Sequence, residues 1–301
     1  MSSDPRWSDD AREHSWENVQ RDREPRERED RDSNDPRDAF MRHVDLPREP
    51  EREAVRHRDR EYTLRGSETR TLATVGAFRV VPTGQLRDHN NVGAHERSAD
   101  LRHLHEQGLI ETVRVPGHRD SVVVLTKEGR EVLEGHRAGR DHTSQTFYAG
   151  LKRPRELEHD AQIFTAYLEA AERLRDRGAR VERVVLDYEL KRDYQKWLHE
   201  HDGERDDYDG HPDRTDDEVR AWAAEHDLPY FDDQVHFPDL RIEYEELDGR
   251  REREDIEVLT VHYRGAHASA ASKSGFSCYG AATARTGGRG PDPDLASELL
   301  R

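Results

Sequence analysis

The strongest constraint on this chain is where its charge lies. Residues 1–66 hold 34 charged side chains of alternating sign, as from Arg21 to Asp32, with repeated prolines and few large aliphatics. Such a stretch buries too little apolar surface to offset the entropy of ordering it, so residues 1–66 are expected to form a disordered arm. Glycines and prolines give the same expectation for a tail over residues 281–301. Folding is expected between these ends, where apolar residues recur at regular spacings.

No apolar run approaches the roughly 18 to 20 residues of a membrane span, so no membrane contact is expected. The single cysteine, Cys278, excludes an internal disulfide framework and a cysteine-clustered zinc site. Without an apolar secretory segment near Met1, a cytoplasmic location is the expectation. The net charge of −17 argues against nucleic acid until it is divided along the chain. Residues 1–66 carry −4, residues 67–160 carry 0 and residues 161–301 carry −13. The middle segment has no acidic excess to repel phosphates.

That segment, 67–140, opens at Ser67, a candidate N-cap for a helix bearing Leu72, Val75 and Phe78. Pro82 stops it, and Thr83 is placed to cap a short second helix through Leu86 and Arg87. A third helix is expected over 96–107, burying Ala99, Leu101 and Leu104, with Gly108 as its stop. A hairpin follows, 109–115 and 121–125 around Pro116-Gly117, and Thr126 caps a last helix.

Residues 141–156 read as a linker with a basic cluster, Lys152, Arg153 and Arg155. The second domain, 157–280, begins with a helix whose stripe runs Leu157, Ala161, Phe164, Leu168, Ala171, Leu174 and ends at Gly178. A strand is expected over 181–190, helix again over 191–199, and a capping box, Thr215 with Glu218, opens the helix that carries Trp222. Strands over 239–245 and 255–263, a small-residue helix over 266–272 and a strand over 276–279 complete it. Residues 205–216 echo a calcium loop, but Arg205 stands where the first ligand should be, so the stretch reads as a solvated acidic loop. The many histidines, His103, His105, His199 and His201 among them, lack a third ligand at fixed spacing and read as structural.

The segments LRHLHEQGLIETV and VVVLTKEGREVL, with the Pro-Gly turn between them, resemble the recognition helix, wing and last helix of bacterial winged helix-turn-helix domains. That resemblance implies that Arg97, Ser98, Arg102 and His105 face the major groove, while Arg114, His118 and Arg119 on the wing grip the backbone or minor groove. The order helix, three strands, helix, strand in the second half resembles the restriction-endonuclease-like αβββαβ fold. There an Asp at the start of one strand and a Glu within the next bind Mg²⁺, which polarises a phosphate and activates water. The matching residues are Asp239 in FPDLRIEY and Glu257 in EDIEVLT, with Glu158 or Asp160 of LEHD from the first helix as a further ligand.

Taken together, the winged helix, LEHD, PDLRIEY and DIEVLTVHYRGAHASAASKSGF resemble the replication-relaxation family of plasmid and integrative-element proteins, over about residues 65–280. The resemblance implies an α+β multidomain, DNA-binding protein acting in replication or mobilisation, with Mg²⁺ as cofactor if the second domain cuts. One position departs from the nuclease pattern: Leu259 stands two after Glu257, where a catalytic lysine belongs. Lys273 is the candidate replacement, with Arg264 and His267 as others, and a fold that retains Asp239 and Glu257 without cleavage is the competing reading. Expected partners are double-stranded DNA and a relaxase or replication protein, with a homodimer open. The alternatives are a winged-helix transcriptional regulator and a protein-binding adaptor of a relaxase complex.

Overall fold

The computed structural model describes residues 35–114, 121–139, 145–151, 157–200, 214–259 and 273–280. The chain is mixed α+β. Its ordered part begins well before Ser67. A 3-10 helix, Pro36–His43, buries Phe40, and a hairpin follows, β1 (Glu53–His57) with β2 (Arg60–Leu64). The expected arm over 1–66 is therefore too long. Val55, Tyr62 and Leu64 point inward while their charged neighbours point to solvent, and a few inward apolar residues suffice because other elements supply the rest of the core.

Helix α1 spans Gly66–Phe78. Its cap is Arg65 rather than Ser67, since the Glu68 carboxylate reaches back to accept from the Arg65 N–H at 3.2 Å. Gly66 is obligatory there, because a Cβ would run into the carbonyl oxygen of Arg48. Strand β3 (Val81–Pro82) leads into a single 3-10 turn, Thr83–Gln85, in place of the expected second helix. Thr83 does not cap it; its hydroxyl donates to the Ser121 carbonyl at 2.9 Å.

Helix α2 spans Ala99–Glu106, shorter at its start than 96–107 because residues 95–98 form a turn closed by Ser98 N–H on the His95 carbonyl. Gly108, at φ 74°, ends it as expected, with Leu109 N–H bonded to the Leu104 carbonyl. Strands β4 (Ile110–Arg114) and β5 (Ser121–Leu125) pair antiparallel, and β3 adds on the far side of β5 to give the order β3-β5-β4. Helix α3 (Lys127–Gly135) starts at Thr126, whose hydroxyl accepts from Gly129 N–H at 3.0 Å.

The second lobe opens with α4 (Leu157–Asp176), and a mixed sheet packs on it. Its strands are β6 (Arg180–Leu186), β9 (Leu240–Glu245), β10 (Arg251–Leu259) and β11 (Ser277–Gly280), in the order β11-β10-β9-β6, with β10 and β11 parallel and the other pairs antiparallel. The first strand ends at Leu186, not 190. There α5 (Asp187–Leu198) begins, with acids in its first turn and Lys191 on Asp187 at 2.7 Å. Helix α6 (Asp216–Glu225) opens on the expected Thr215 and Glu218 capping box. A small hairpin, β7 (Tyr230–Phe231) and β8 (Gln234–Val235), precedes β9. The expected helix over 266–272 lies outside the described residues.

The two lobes share one core. Phe78 of α1 meets Phe164 and Tyr167 of α4 at ring-centroid distances of 4.9 and 4.7 Å, and Phe40 joins the same group. Tyr167 donates its hydroxyl to the Pro36 carbonyl at 2.7 Å. The stretch read as a linker is partly built in: Gln145, Phe147 and Tyr148 are buried. The Gln145 side chain pairs with both backbone groups of Val184, at 2.9 Å each, so it covers part of the free edge of β6. The described residues from Pro36 onward accordingly belong to one compact unit.

Candidate functional site

Two places in the fold gather the residues singled out above. The first is α2. Its apolar side, Leu101 and Leu104, is buried, whereas Arg97, Arg102 and His105 are exposed. Arg114 at the end of β4 is exposed too, 4.0 Å from Glu96, and Arg102 lies 3.9 Å from Glu106. Ser98 does not belong to that face. It is 5% exposed, and its hydroxyl makes no hydrogen bond to the helix. His118 and Arg119 lie outside the described residues, as do Lys152, Arg153 and Arg155.

What aims α2 is a buried ionic network that the sequence pattern did not suggest. Glu68 of α1, 0% exposed, accepts from Arg52 at 2.6 Å and lies 3.0 Å from Nδ1 of His103 on α2. Asp100 of α2, 1% exposed, accepts from Ser67 at 2.7 Å and meets Arg65 at 2.9 Å and His89 at 3.1 Å. Each acid is thus compensated by several donors, as burial of a carboxylate requires. Gln107 adds a third tie, accepting from Thr63 N–H at 2.8 Å and donating to its carbonyl at 3.0 Å, which fastens the C-terminal end of α2 to β2. The one local signal was Glu68 itself, three residues after Arg65. Its partners are far along the chain and invisible to periodicity.

The second place is the start of β9. Leu240 pairs with Ile256, so the antiparallel register continued one step sets Asp239 opposite Glu257, and Glu257 pairs in turn with Cys278 of β11. The expected juxtaposition of Asp239 and Glu257 on neighbouring strands is what this register gives. Around them the expectations are corrected. Oδ2 of Asp239 accepts from Val258 N–H at 2.8 Å and lies 3.2 Å from Nε2 of His159. Nδ1 of His159 lies 3.6 Å from Asp160. Burial alone would discharge this imidazole, but hydrogen bonds and attraction to Asp160 and Asp239 outweigh it and hold its pKa up at about 10. Glu158 is exposed, and the α4 acid that joins Asp239, through His159, is Asp160.

Lys273 is engaged elsewhere, 3.3 Å from Asp232 in the β7–β8 turn and over the Phe231 ring. Leu259 is buried, and Arg264 and His267 lie outside the described residues. Burial and the neighbouring Glu257 push the Cys278 thiol up, away from the reactive thiolate. Among the described residues no group of three or more His, Cys, Asp or Glu side chains is placed to hold a metal ion. At Oδ2 of Asp239 the described arrangement does not fit Mg²⁺, because an imidazole and a backbone N–H already point at that oxygen.

No protein-family model, curated protein or solved structure matches the chain. Among the described residues no helix is long and apolar enough to cross a membrane.

Proposed function

We propose that this chain binds double-stranded DNA through α2, as a protein of the replication-relaxation kind working in the replication or mobilisation of a plasmid or integrative element. The observation that carries the reading is the pairing of an exposed basic face, Arg97, Arg102, His105 and Arg114, with a helix whose opposite side is locked by Leu101, Leu104 and the Glu68 and Asp100 network. A rigid helix that presents guanidinium groups is what groove reading requires. The sheet β3-β5-β4, with α1 and α2 before its hairpin and α3 after it, supports a winged helix-turn-helix reading of the first lobe. The order of α4, β6, β9, β10 and β11 supports a nuclease-like reading of the second, which we take to dock rather than to cut, since Lys273 and Asp239 are both otherwise engaged.

Binding of a labelled duplex, followed by fluorescence anisotropy across a salt series, tests the proposal. Affinity is expected to fall steeply with salt, and each arginine that contacts a phosphate should, once replaced, reduce the slope of log K against log salt by about 1. Equal affinity and slope for the wild type and an R97A/R102A/R114A variant would remove the assignment. Glu96 and Glu106, close to Arg114 and Arg102, partly neutralise this face and favour a protein-binding adaptor as the second reading. Absence of duplex binding at low salt would move the conclusion there.

A further inference from the structure

We propose that His159 occupies, from within the chain, the place at Asp239 where a divalent cation would sit, so that the Asp239 and Glu257 strand pair is closed to metal. The inference concerns the second lobe alone and stands or falls separately from DNA binding by the first.

A carboxylate oxygen has two lone pairs to offer. On Oδ2 of Asp239, Val258 N–H takes one at 2.8 Å and His159 Nε2 lies within reach of the other at 3.2 Å. Magnesium demands oxygen ligands at about 2.0 to 2.1 Å in near-octahedral geometry, and it cannot share that oxygen with two N–H donors. The same ring turns its other nitrogen toward Asp160, so one side chain engages both carboxylates that α4 and β9 bring together. The lysine that would complete a cleaving site points to Asp232, at 3.3 Å.

His159 sits in the first turn of α4, two residues after Leu157, which is buried against Val122 and Val124 of the first lobe's sheet. The geometry thus sets a side-chain bridge between helix and sheet where a metal bridge would otherwise stand. Removing the ring should leave the Asp239 and Asp160 carboxylates without the imidazole that lies between them, an arrangement that attracts a hard cation.

Manganese titration read by electron paramagnetic resonance, which separates free from bound ion, tests this with no reference to activity. Weak binding to the many surface carboxylates is common to all variants, so differences decide. The wild type and D239N are expected to bind the same amount of Mn²⁺. H159A is expected to gain an additional ion, and H159A/D239N to lose that gain. A drop in binding from wild type to D239N would overturn the proposal, as would a folded H159A that binds no more than the wild type. If circular dichroism shows H159A unfolded, the wild type against D239N still decides: equal binding upholds the closed site and a loss overturns it.

Discussion

His43 shows how much a single side chain carries in this fold. Its ring lies between three segments: Nε2–H donates to the Glu182 carbonyl at 2.8 Å, and Nδ1 accepts from Gln145 N–H at 3.4 Å. The bond at Nδ1 requires the neutral ring, and burial, aided by Arg42 and Arg137, outweighs the Glu182 carbonyl and holds its pKa below the ordinary 6.5. The sign follows from that direction. The unfolded chain takes up the proton first as pH falls, so the stability that His43 contributes is present above pH 6.5 and is lost below it. Urea midpoints measured from pH 8 to pH 5 are expected to fall more steeply for the wild type than for H43Q, and parallel curves would exclude the role. Glu68 is the contrasting case, a fully buried carboxylate that meets Arg52 at 2.6 Å and His103 at 3.0 Å. Neither residue stood out in the sequence, because a titratable side chain takes its meaning from partners many positions away.

At the level of elements, legibility depended on whether an element's signal was local. Thr126 before α3, Thr215 with Glu218 before α6, Gly108 after α2 and Gly178 after α4 all mark helix ends where caps and left-handed residues require them. These are contacts within one turn of chain. The 3-10 helix Pro36–His43 and the β1–β2 hairpin were hidden by their own charges, since only Phe40, Val55, Tyr62 and Leu64 among them reach the core as large apolar side chains. Phe40 is the test of that early segment. It is 0% exposed and packs edge-on to Phe78 at 5.4 Å, so F40A is expected to cost about 3 to 5 kcal/mol in chemical denaturation. A change within error of zero would return the segment to the status of a solvated arm. In the candidate site, the facing of Asp239 and Glu257 was legible because a hairpin register is local, whereas His159 was not, because it comes from the other end of the lobe.

For the molecule as a whole, the decisive fact is the continuity of the core from Phe40 through Phe78, Phe164 and Tyr167 to the sheet residues Leu240, Ile256 and Val258. Even the outer face of β5 is covered, as Val122 and Val124 pack on Leu157 of α4. Two lobes that share aromatic contacts and a buried face should not unfold independently. Urea unfolding of a W7F/W16F variant, followed by circular dichroism and by the fluorescence of the remaining Trp197 and Trp222 in the second lobe, is expected to give coincident single transitions. Two separated transitions would show the lobes to be autonomous. The sequence by itself determined the caps at Thr126 and Thr215, the helix stops at Gly108 and Gly178 and the facing of Asp239 and Glu257, because each is set by residues within a few positions of one another or by one local hairpin. Only the tertiary structure decided that the early charged segment folds, that the lobes merge, and that a histidine meets Asp239. Those outcomes depend on burial and on partners brought together across the chain, and no spacing rule encodes them.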